Sequence, residues 1–197
     1  MAGADCQILD PRVRRTREGL QQSLEGLLKR KEFDQVSVQD IAERAGVNRA
    51  TFYDHYADKF ALLECMVAAR FHSLLAERHV EFDDCCASKL NAVVLAVCHY
   101  VAQLRGRRAR QTEPRVESAV AAVVRRMLLD GLRRRSSGEG LAPEIVAAAA
   151  SWAIYGAARE WTQTAKRCAP EEIAVRVTAL IAPMMSLPPA QPQGSRR

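Results

Sequence analysis

The chain has few aromatic residues and almost none of the alternation of β-branched and polar residues that strands require. Aromatic residues make up 6% of its 197 residues, whereas hydrophobic residues make up 48%, with alanine prominent among them. Strands in a sheet depend on β-branched and aromatic side chains at every second position. Long alanine- and leucine-rich stretches favour helices instead. The composition therefore predicts an all-α protein.

Long apolar runs and leader-like segments are also lacking. No run approaches the roughly 18 consecutive apolar residues of a membrane span. The first residues, MAGADCQILDPRVRRTRE, contain no apolar core followed by a cleavage site. The six cysteines include no CxxC pair, so we expect reduced thiols, several of them small core residues. We expect a cytoplasmic, nucleoid-associated protein without a membrane partner.

Motifs for catalysis are absent from the sequence. It has no G-x-S-x-G, no H-E-x-x-H and no phosphate-binding glycine loop, and its four histidines are scattered. We therefore expect no enzyme, no catalytic residue and no cofactor. Cys85 and Cys86 lie near Asp83, Asp84 and His79, a combination that could bind a soft metal or sense oxidants. Adjacent cysteines chelate one ion awkwardly, so we predict no metal site.

Positive charge is present, but it is distributed unevenly. The net charge is +6, yet residues 1–60 contain ten Lys or Arg and ten Asp or Glu. Residues 105–135 carry ten arginines against three acids, which could favour an anionic or acyl-linked ligand or could form a solvated face. Net charge therefore does not locate a nucleic-acid site, although a local cluster at Arg12, Arg14, Arg15 and Arg17 supports one near the N-terminus.

The stretch SVQDIAERAGVNRATFYDHYADKF, residues 37–60, predicts two short helices joined by a tight turn. Ser37 and Asp40 have the spacing of a capping box at the start of the first helix. Gly46 supplies the left-handed residue that ends it, and Asn48 caps a second helix that finishes near His55. Such a pair is typical of a helix-turn-helix, which places its second helix in the DNA major groove.

The second helix of this pair carries side chains that suit double-stranded DNA. Arginine offers a bidentate fork to guanine, and threonine offers a hydroxyl and a methyl group. Lysine and the start of the following helix suit a phosphate. Asn48 could instead be a cap alone, Tyr53 a half-buried strut and His55 a surface histidine. The residues predicted to contact DNA are Arg14, Ser37, Asn48, Arg49, Thr51, Tyr53, His55, Tyr56 and Lys59.

Helical spacing and prolines at helix starts divide the rest of the chain. One helix begins at Pro11 and ends at residues 29–31, and another runs from Asp58 to about Val80, before a polar loop at 81–86. Further helices are predicted over 87–105, 114–134, 143–167 and 170–185. The predicted domains are a disordered arm (1–10), a helix-turn-helix domain (11–58), a larger helical domain (59–187) and a disordered tail (188–197).

The run from Arg14 to Leu63 resembles the N-terminal domain of the TetR family of transcriptional regulators. The resemblance rests on the pattern V-x-D-I-A-x-x-A-G-V-x-R-A-T-F-Y-x-H-Y-x-x-K-x-x-L-L, which begins at Val38 and ends at Leu63. Asn48 stands where serine is common in the family, and Tyr56 where phenylalanine is frequent. The pattern is dense, and the run from Arg14 to Leu63 that resembles the family covers about a quarter of the chain.

The resemblance implies a homodimeric repressor that binds a palindromic operator and is released by a small-molecule effector. It also implies that the last two long helices pack against their symmetry mates as a four-helix bundle, although packing within one subunit stays open. The implied interface residues are Ala149, Trp152, Ala153, Gly156, Ala157, Trp161, Val177 and Ile181. Small residues among them let helices approach closely.

An effector pocket would lie in the larger domain and be mostly apolar with a few polar groups. The candidate lining residues are His99, Tyr100, Gln103, Met127, Trp152 and Tyr155. Each is more commonly ordinary core or surface. Other functions stay open: an activator or a ligand-independent regulator of the same fold, a redox- or metal-responsive regulator using Cys85 and Cys86, or an interaction module whose helix-turn-helix has lost DNA binding.

Overall fold

The computed structural model describes residues 10–77, 87–107, 114–135 and 141–186. These residues form α-helices and one short 3₁₀ helix, and none of those described is in a strand. The all-α prediction is confirmed. The helices are α1 (Pro11–Leu28), the 3₁₀ helix (Phe33–Gln35), α2 (Val38–Ala45), α3 (Arg49–His55), α4 (Lys59–Ala76), α5 (Ala87–Arg107), α6 (Pro114–Arg135), α7 (Pro143–Gln163) and α8 (Pro170–Ser186).

Most predicted helix bounds agree with the structure to within a few residues. The main difference is α7, which ends at Gln163 rather than 167, because the backbone becomes extended at Thr164. The described part of α4 ends at Ala76, so the predicted end near Val80 lies outside the described residues. The predicted loop at 81–86 with Cys85 and Cys86, almost all of the N-terminal arm and the tail from 188 lie outside them too.

The described residues fall into two compact units. The first contains residues 10–67 together with 114–119, and the second contains 68–77, 87–107, 120–135 and 141–186. The first unit thus extends beyond the predicted domain boundary at residue 58 and includes the first turns of α6. The first unit extends along α4 because the side chains of Leu62, Leu63 and Val67 on that helix are buried.

The first unit is built around one apolar core. α1 packs on α2, and α2 packs on α3. Burying each large apolar side chain is worth about 1.5–3 kcal/mol, so this core fixes the helices that display the predicted DNA contacts. Its fully buried members include Leu20, Leu24, Phe33, Ile41, Phe52 and Leu62.

The second unit is a helical layer in which α5 packs against α7 and α8, and these two pack on each other. Small residues such as Ala147, Ala150 and Ala174 are fully buried there, and they allow close helix approach. The Thr178 hydroxyl donates to the Asn91 side-chain oxygen at 3.3 Å, which ties α8 to α5. No helix in the described ranges is long and apolar enough to cross a membrane.

Candidate nucleic-acid interface

A complete capping box begins α2, as the sequence predicts. The Ser37 hydroxyl accepts from the Asp40 backbone N–H at 3.0 Å, and the Asp40 carboxylate accepts from the Ser37 N–H at 2.8 Å. These bonds satisfy two of the donors that a helix start leaves unpaired. The Ser37 N–H, the Ser37 hydroxyl and the Lys31 ammonium, in that order, lower the pKa of Asp40 to about 2. Asp40 therefore stays ionised at neutral pH.

The turn between α2 and α3 depends on a left-handed glycine. Gly46 has φ +70°, a conformation that disfavours residues with a Cβ. Its N–H donates to the Glu43 carbonyl at 3.1 Å, and the Val47 N–H donates to the Ala42 carbonyl at 3.0 Å. This is a Schellman motif, so α2 stops abruptly and α3 begins three residues later. The prediction for Gly46 is confirmed.

The start of α3 is capped by Asn48. Its side-chain oxygen accepts from the Thr51 N–H at 2.7 Å and from the Thr51 hydroxyl at 3.0 Å. The predicted cap is confirmed, and the Thr51 hydroxyl is turned back toward it. Asn48 itself is exposed and Thr51 is half-buried, so the first turn of α3 is both ordered and accessible.

The exposed face of α3 presents a paired arginine and tyrosine. The Arg49 guanidinium donates to the Tyr53 hydroxyl at 3.1 Å and lies 5.5 Å from the centre of its ring. Tyr53 is 46% exposed, whereas Phe52 beside it is fully buried and anchors α3 in the core. His55, one turn further along, is half-buried. One side of α3 thus exposes hydrogen-bonding groups, and the other side packs into the core of the first unit.

Tyr56 lies in the core and not on the predicted DNA-contacting surface. It is 4% exposed, and its hydroxyl accepts from Gln21 at 3.1 Å and from Arg17 at 3.4 Å. The pKa of Arg17 is raised, chiefly by this bond to Tyr56. Tyr56 therefore joins the end of α3 to α1. Arg14, also on α1, remains exposed beside Glu18.

Lys59, which the sequence places against a DNA phosphate, instead holds an internal turn. Its ammonium donates to the carbonyls of Phe33, Asp34 and Val36 at 3.0, 3.2 and 2.8 Å. It also lies 4.7 Å from the centre of the Phe33 ring. An ammonium has three donors, and three carbonyl oxygens lie within hydrogen-bond distance of it. Lys59 therefore fastens the start of α4 to the 3₁₀ helix that precedes α2.

The predicted phosphate site at the start of α4 is also occupied by a side chain. The Asp58 carboxylate accepts from the backbone N–H groups of Phe60 and Ala61 at 2.9 and 2.8 Å. These are the N–H groups that an anion would use at a helix start. The expected cap at Asp58 is confirmed, and it places a negative charge where a phosphate would bind.

Sequence reasoning missed the internal partners of Tyr56 and Lys59. Gln21 and Arg17 reach Tyr56 from α1, and the three carbonyls reach Lys59 from the turn before α2. These contacts join residues more than twenty positions apart, so no local spacing reports them. A lysine at the start of a helix looks the same in sequence whether it faces a phosphate or a carbonyl.

The candidate effector residues are divided between the interior and the surface of the second unit. Tyr100 is buried with its ring 5.3 Å from Phe71, and Tyr155 is buried as well. His99 and Met127 are half-buried, and the His99 Nε2 lies 3.8 Å from a Glu171 carboxylate oxygen. Gln103 is exposed and accepts from Arg70, and Trp152 is half exposed and forms an edge-to-face pair with Tyr155.

The candidate dimer residues are divided in the same way. Trp152 is 50% exposed, Ala149 is exposed, and Ala153, Gly156 and Ala157 are half-buried along α7. The remaining three, Trp161, Val177 and Ile181, are buried inside the second unit. The Trp161 ring N–H donates to the Cys168 carbonyl at 3.0 Å. These three side chains therefore stabilise the second unit itself and have little surface left for a partner.

Cysteines and metal-binding groups add little to the site. Among the residues that the structure describes, no group of three His, Cys, Asp or Glu side chains could hold a metal ion. Cys65, Cys98 and Cys168 are free thiols. Cys98 is fully buried, and burial raises its pKa to about 12. It behaves as the small core residue that the sequence predicts.

Comparisons with known proteins agree with this geometry. Residues 25–66 match the model of the bacterial regulatory proteins of the tetR family. Over 60 residues the chain is 43% identical to an uncharacterized HTH-type transcriptional regulator, YxbF of Bacillus subtilis (strain 168), a match that spans 30% of this chain and 16% of that protein. The likeness to this relative therefore concerns a segment of 60 residues and neither protein as a whole.

Two solved structures have a similar fold over most of the chain. A TetR-family regulator from Streptomyces coelicolor A3 aligns with 90% of this chain and 98% of its own at a TM-score of 0.56 and 17% identity. A TetR transcriptional regulator from Streptococcus agalactiae 2603V aligns with 86% of this chain and 95% of its own, at a TM-score of 0.53 and 18% identity. At these identities the likeness concerns the fold. The match to the tetR-family model therefore concerns residues 25–66, and the rest of the chain is similar to these regulators in fold.

Proposed function

We propose that the chain is a homodimeric transcriptional repressor that binds a palindromic operator and leaves it when a small molecule binds the second unit. The observation that carries this proposal is the exposed face of α3. The helix is anchored by Phe52 and capped by Asn48, and it displays Arg49 and Tyr53 to solvent. A short, rigid helix with such side chains suits the major groove.

Within this proposal, base reading belongs to α3 and phosphate binding to its surroundings. Arg49 can place its fork on guanine, and the Tyr53 ring can contact a thymine methyl. Asn48, Thr51 and Ser37 lie at helix starts, where hydroxyl, amide and backbone N–H groups bond phosphates. His55 and Arg14 flank them. The proposed set omits Tyr56, which is 4% exposed, and Lys59, whose ammonium donates to three backbone carbonyls of the same unit.

The DNA proposal is tested by Arg49→Ala, measured on a duplex that the wild-type protein selects from a randomised pool. We expect a loss of about 1–3 kcal/mol on the selected duplex and a smaller loss on random DNA, because Arg49 would read a base. Arg126→Ala is the matched control, since Arg126 is an exposed arginine of α6 in the second unit. An equal loss on both duplexes would exclude base reading by Arg49.

The dimer proposal rests on an apolar stripe of α7. Ile145, Ala149, Trp152 and Gly156 recur at helical spacing on one face, and Ile145 and Trp152 are 56% and 50% exposed. A contiguous apolar face of this kind marks an interaction surface. A second copy would cover it and bring two α3 helices to the two halves of a palindrome.

Sedimentation tests the dimer directly. We expect the wild-type chain to be dimeric at micromolar concentration and Trp152→Glu to be monomeric, because an unpaired carboxylate would be buried in the interface. Gln163→Glu provides the control, since Gln163 is exposed near the end of α7, away from the stripe. A monomeric wild-type chain at that concentration would refute the proposal.

The effector proposal has a more limited basis. The interior of the second unit is mostly apolar, with Tyr100 and Tyr155 buried and His99 half-buried on α5 and α7, a composition that suits a small-molecule site. A thermal-shift screen with a metabolite library would reveal a stabilising compound. A true effector must also weaken DNA binding, because coupling between two ligands is reciprocal. A stabilising compound without that effect would not be the effector.

A further inference from the structure

Two aromatic rings and two cations form a cluster in the first unit. The rings of Phe33 and Phe60 meet edge to face with centres 5.2 Å apart. Lys59 lies 4.7 Å from the centre of the Phe33 ring, and the Arg115 guanidinium lies 5.3 Å from the centre of the Phe60 ring. Three of these residues lie within residues 25–66, whereas Arg115 comes from the first turn of α6.

Arg115 contacts two elements of the DNA-binding unit at once. Besides covering Phe60, at the start of α4, its Nε lies 3.7 Å from a carboxylate oxygen of Asp34 in the 3₁₀ helix. Arginine suits this position because its planar guanidinium can stack on a ring while bonding a carboxylate. The 3₁₀ helix ends just before Ser37, the residue that caps α2. Arg115 therefore holds the segment that leads into the helix-turn-helix.

We propose that Arg115 is a positioning residue for DNA binding. It lies outside the stretch that matches the family model, residues 25–66, and the inference rests on the proposed function. By holding the 3₁₀ helix and the start of α4 together, Arg115 reduces the ordering that the unit must undergo on binding DNA, and binding is tighter when less ordering is required. Both partners of the ion pair are exposed, with 56% and 72% of their side chains accessible, so a moderate effect is expected.

The test compares Arg115→Gln with Arg126→Gln, a matched loss of one exposed positive charge from the same helix. On DNA selected by the wild-type protein from a randomised pool, we expect affinity to fall about threefold to tenfold more for Arg115→Gln than for the control. The dependence of log affinity on log salt should keep the wild-type slope. A slope shallower by about 0.9 would instead identify Arg115 as a phosphate contact, and an effect equal to that of Arg126→Gln would refute any role.

Two further variants separate positioning from general damage. Arg115→Lys keeps the charge near Asp34 and should recover part of the affinity. Asp34→Asn should weaken binding on its own, and the two losses should not add in the double variant with Arg115→Gln, because both remove the same pair. Full additivity would show that Asp34 and Arg115 act independently and would overturn the proposed mechanism.

Hydrogen exchange without DNA distinguishes this inference from the proposed function. We expect faster exchange of the backbone N–H groups of residues 35–38 in Arg115→Gln than in Arg126→Gln, since the bonds at the 3₁₀ helix would open more often. If the wild-type chain selects no DNA but this difference is present, the proposed function fails while the contact stands. If exchange is unchanged in both variants, the inference fails whether or not the chain binds DNA.

Discussion

Replacing Lys59 with methionine tests whether this residue stabilises the first unit or contacts DNA. The change keeps a long apolar stem and removes the ammonium that donates to the carbonyls of Phe33, Asp34 and Val36. The structure predicts a loss of stability. A phosphate-contacting role predicts a loss of DNA affinity with little change in stability.

The magnitude follows from the partners that remain. A hydrogen bond to a charged group contributes about 1.5–3 kcal/mol, but the three bonds share one half-buried ammonium and do not add. The Phe33 carbonyl also accepts from the Val36 N–H at 3.1 Å, so it keeps a partner after the substitution. We therefore expect the free energy of unfolding to fall by about 2–3 kcal/mol, or the melting temperature by about 5–10 °C if the chain unfolds as one unit.

The assay is urea unfolding followed by circular dichroism, with Lys29→Met as the control. Lys29 is exposed at the end of α1 and lies 4.0 Å from Glu25, so removing its charge should cost less than about 0.5 kcal/mol. DNA binding measured over a range of salt concentrations completes the test. Lys59→Met should leave the slope of log affinity against log salt unchanged.

The opposite pattern would refute this interpretation. If Lys59→Met unfolds at the wild-type urea concentration and its salt slope is shallower by about 0.9, the ammonium contacts a phosphate and its bonds to the three carbonyls are not what stabilises the turn.

Three further predictions concern the same unit. Gly46→Ala should lower the free energy of unfolding by about 1–2 kcal/mol, because an alanine at φ +70° is strained. The new Cβ would meet nothing within 4 Å, so the cost is in the backbone alone. Unchanged urea unfolding would contradict this prediction. Tyr56→Phe should lower the free energy of unfolding by about 1–2 kcal/mol, because the hydrogen bonds from Gln21 and Arg17 are lost. The control Tyr53→Phe, on the exposed face of α3, should lower it by less than about 0.5 kcal/mol. Equal losses would argue against the internal role of Tyr56. Because folding lowers the pKa of Asp40 from 3.8 to about 2, its stabilising contribution is complete above pH 3.8 and is lost as the pH falls toward 2. The stability difference between wild type and Asp40→Asn should therefore shrink between pH 5 and pH 2.5 in urea unfolding, and a constant difference would disprove the linkage.

Local elements could be predicted from sequence because their causes are local. The capping box at Ser37 and Asp40, the left-handed Gly46 and the cap at Asn48 each involve residues at most a few positions apart. The same holds for the prolines that begin α6, α7 and α8. Spacing along the chain reports such features directly, so the helix bounds agree closely with the structure.

The contacts of individual side chains were less predictable, because they depend on residues far apart in the chain. Lys59 and Tyr56 are polar residues at the end of a helix-turn-helix pattern, and sequence alone places both toward DNA. The structure directs the ammonium of one and the hydroxyl of the other into the protein. Trp161, Val177 and Ile181 differ from Trp152 in the same way, since helical spacing marks an apolar residue without saying which neighbour covers it.

The all-α class, the caps and turn of the helix-turn-helix and the pattern from Val38 to Leu63 are all visible in the residues alone, because helix formation and capping are short-range interactions. Packing of the folded chain sets which cations face inward, which apolar residues of α7 stay exposed and that Arg115 belongs to the first unit. Those outcomes depend on packing between residues far apart in the chain, where burial and hydrogen-bond partners are set by the whole fold.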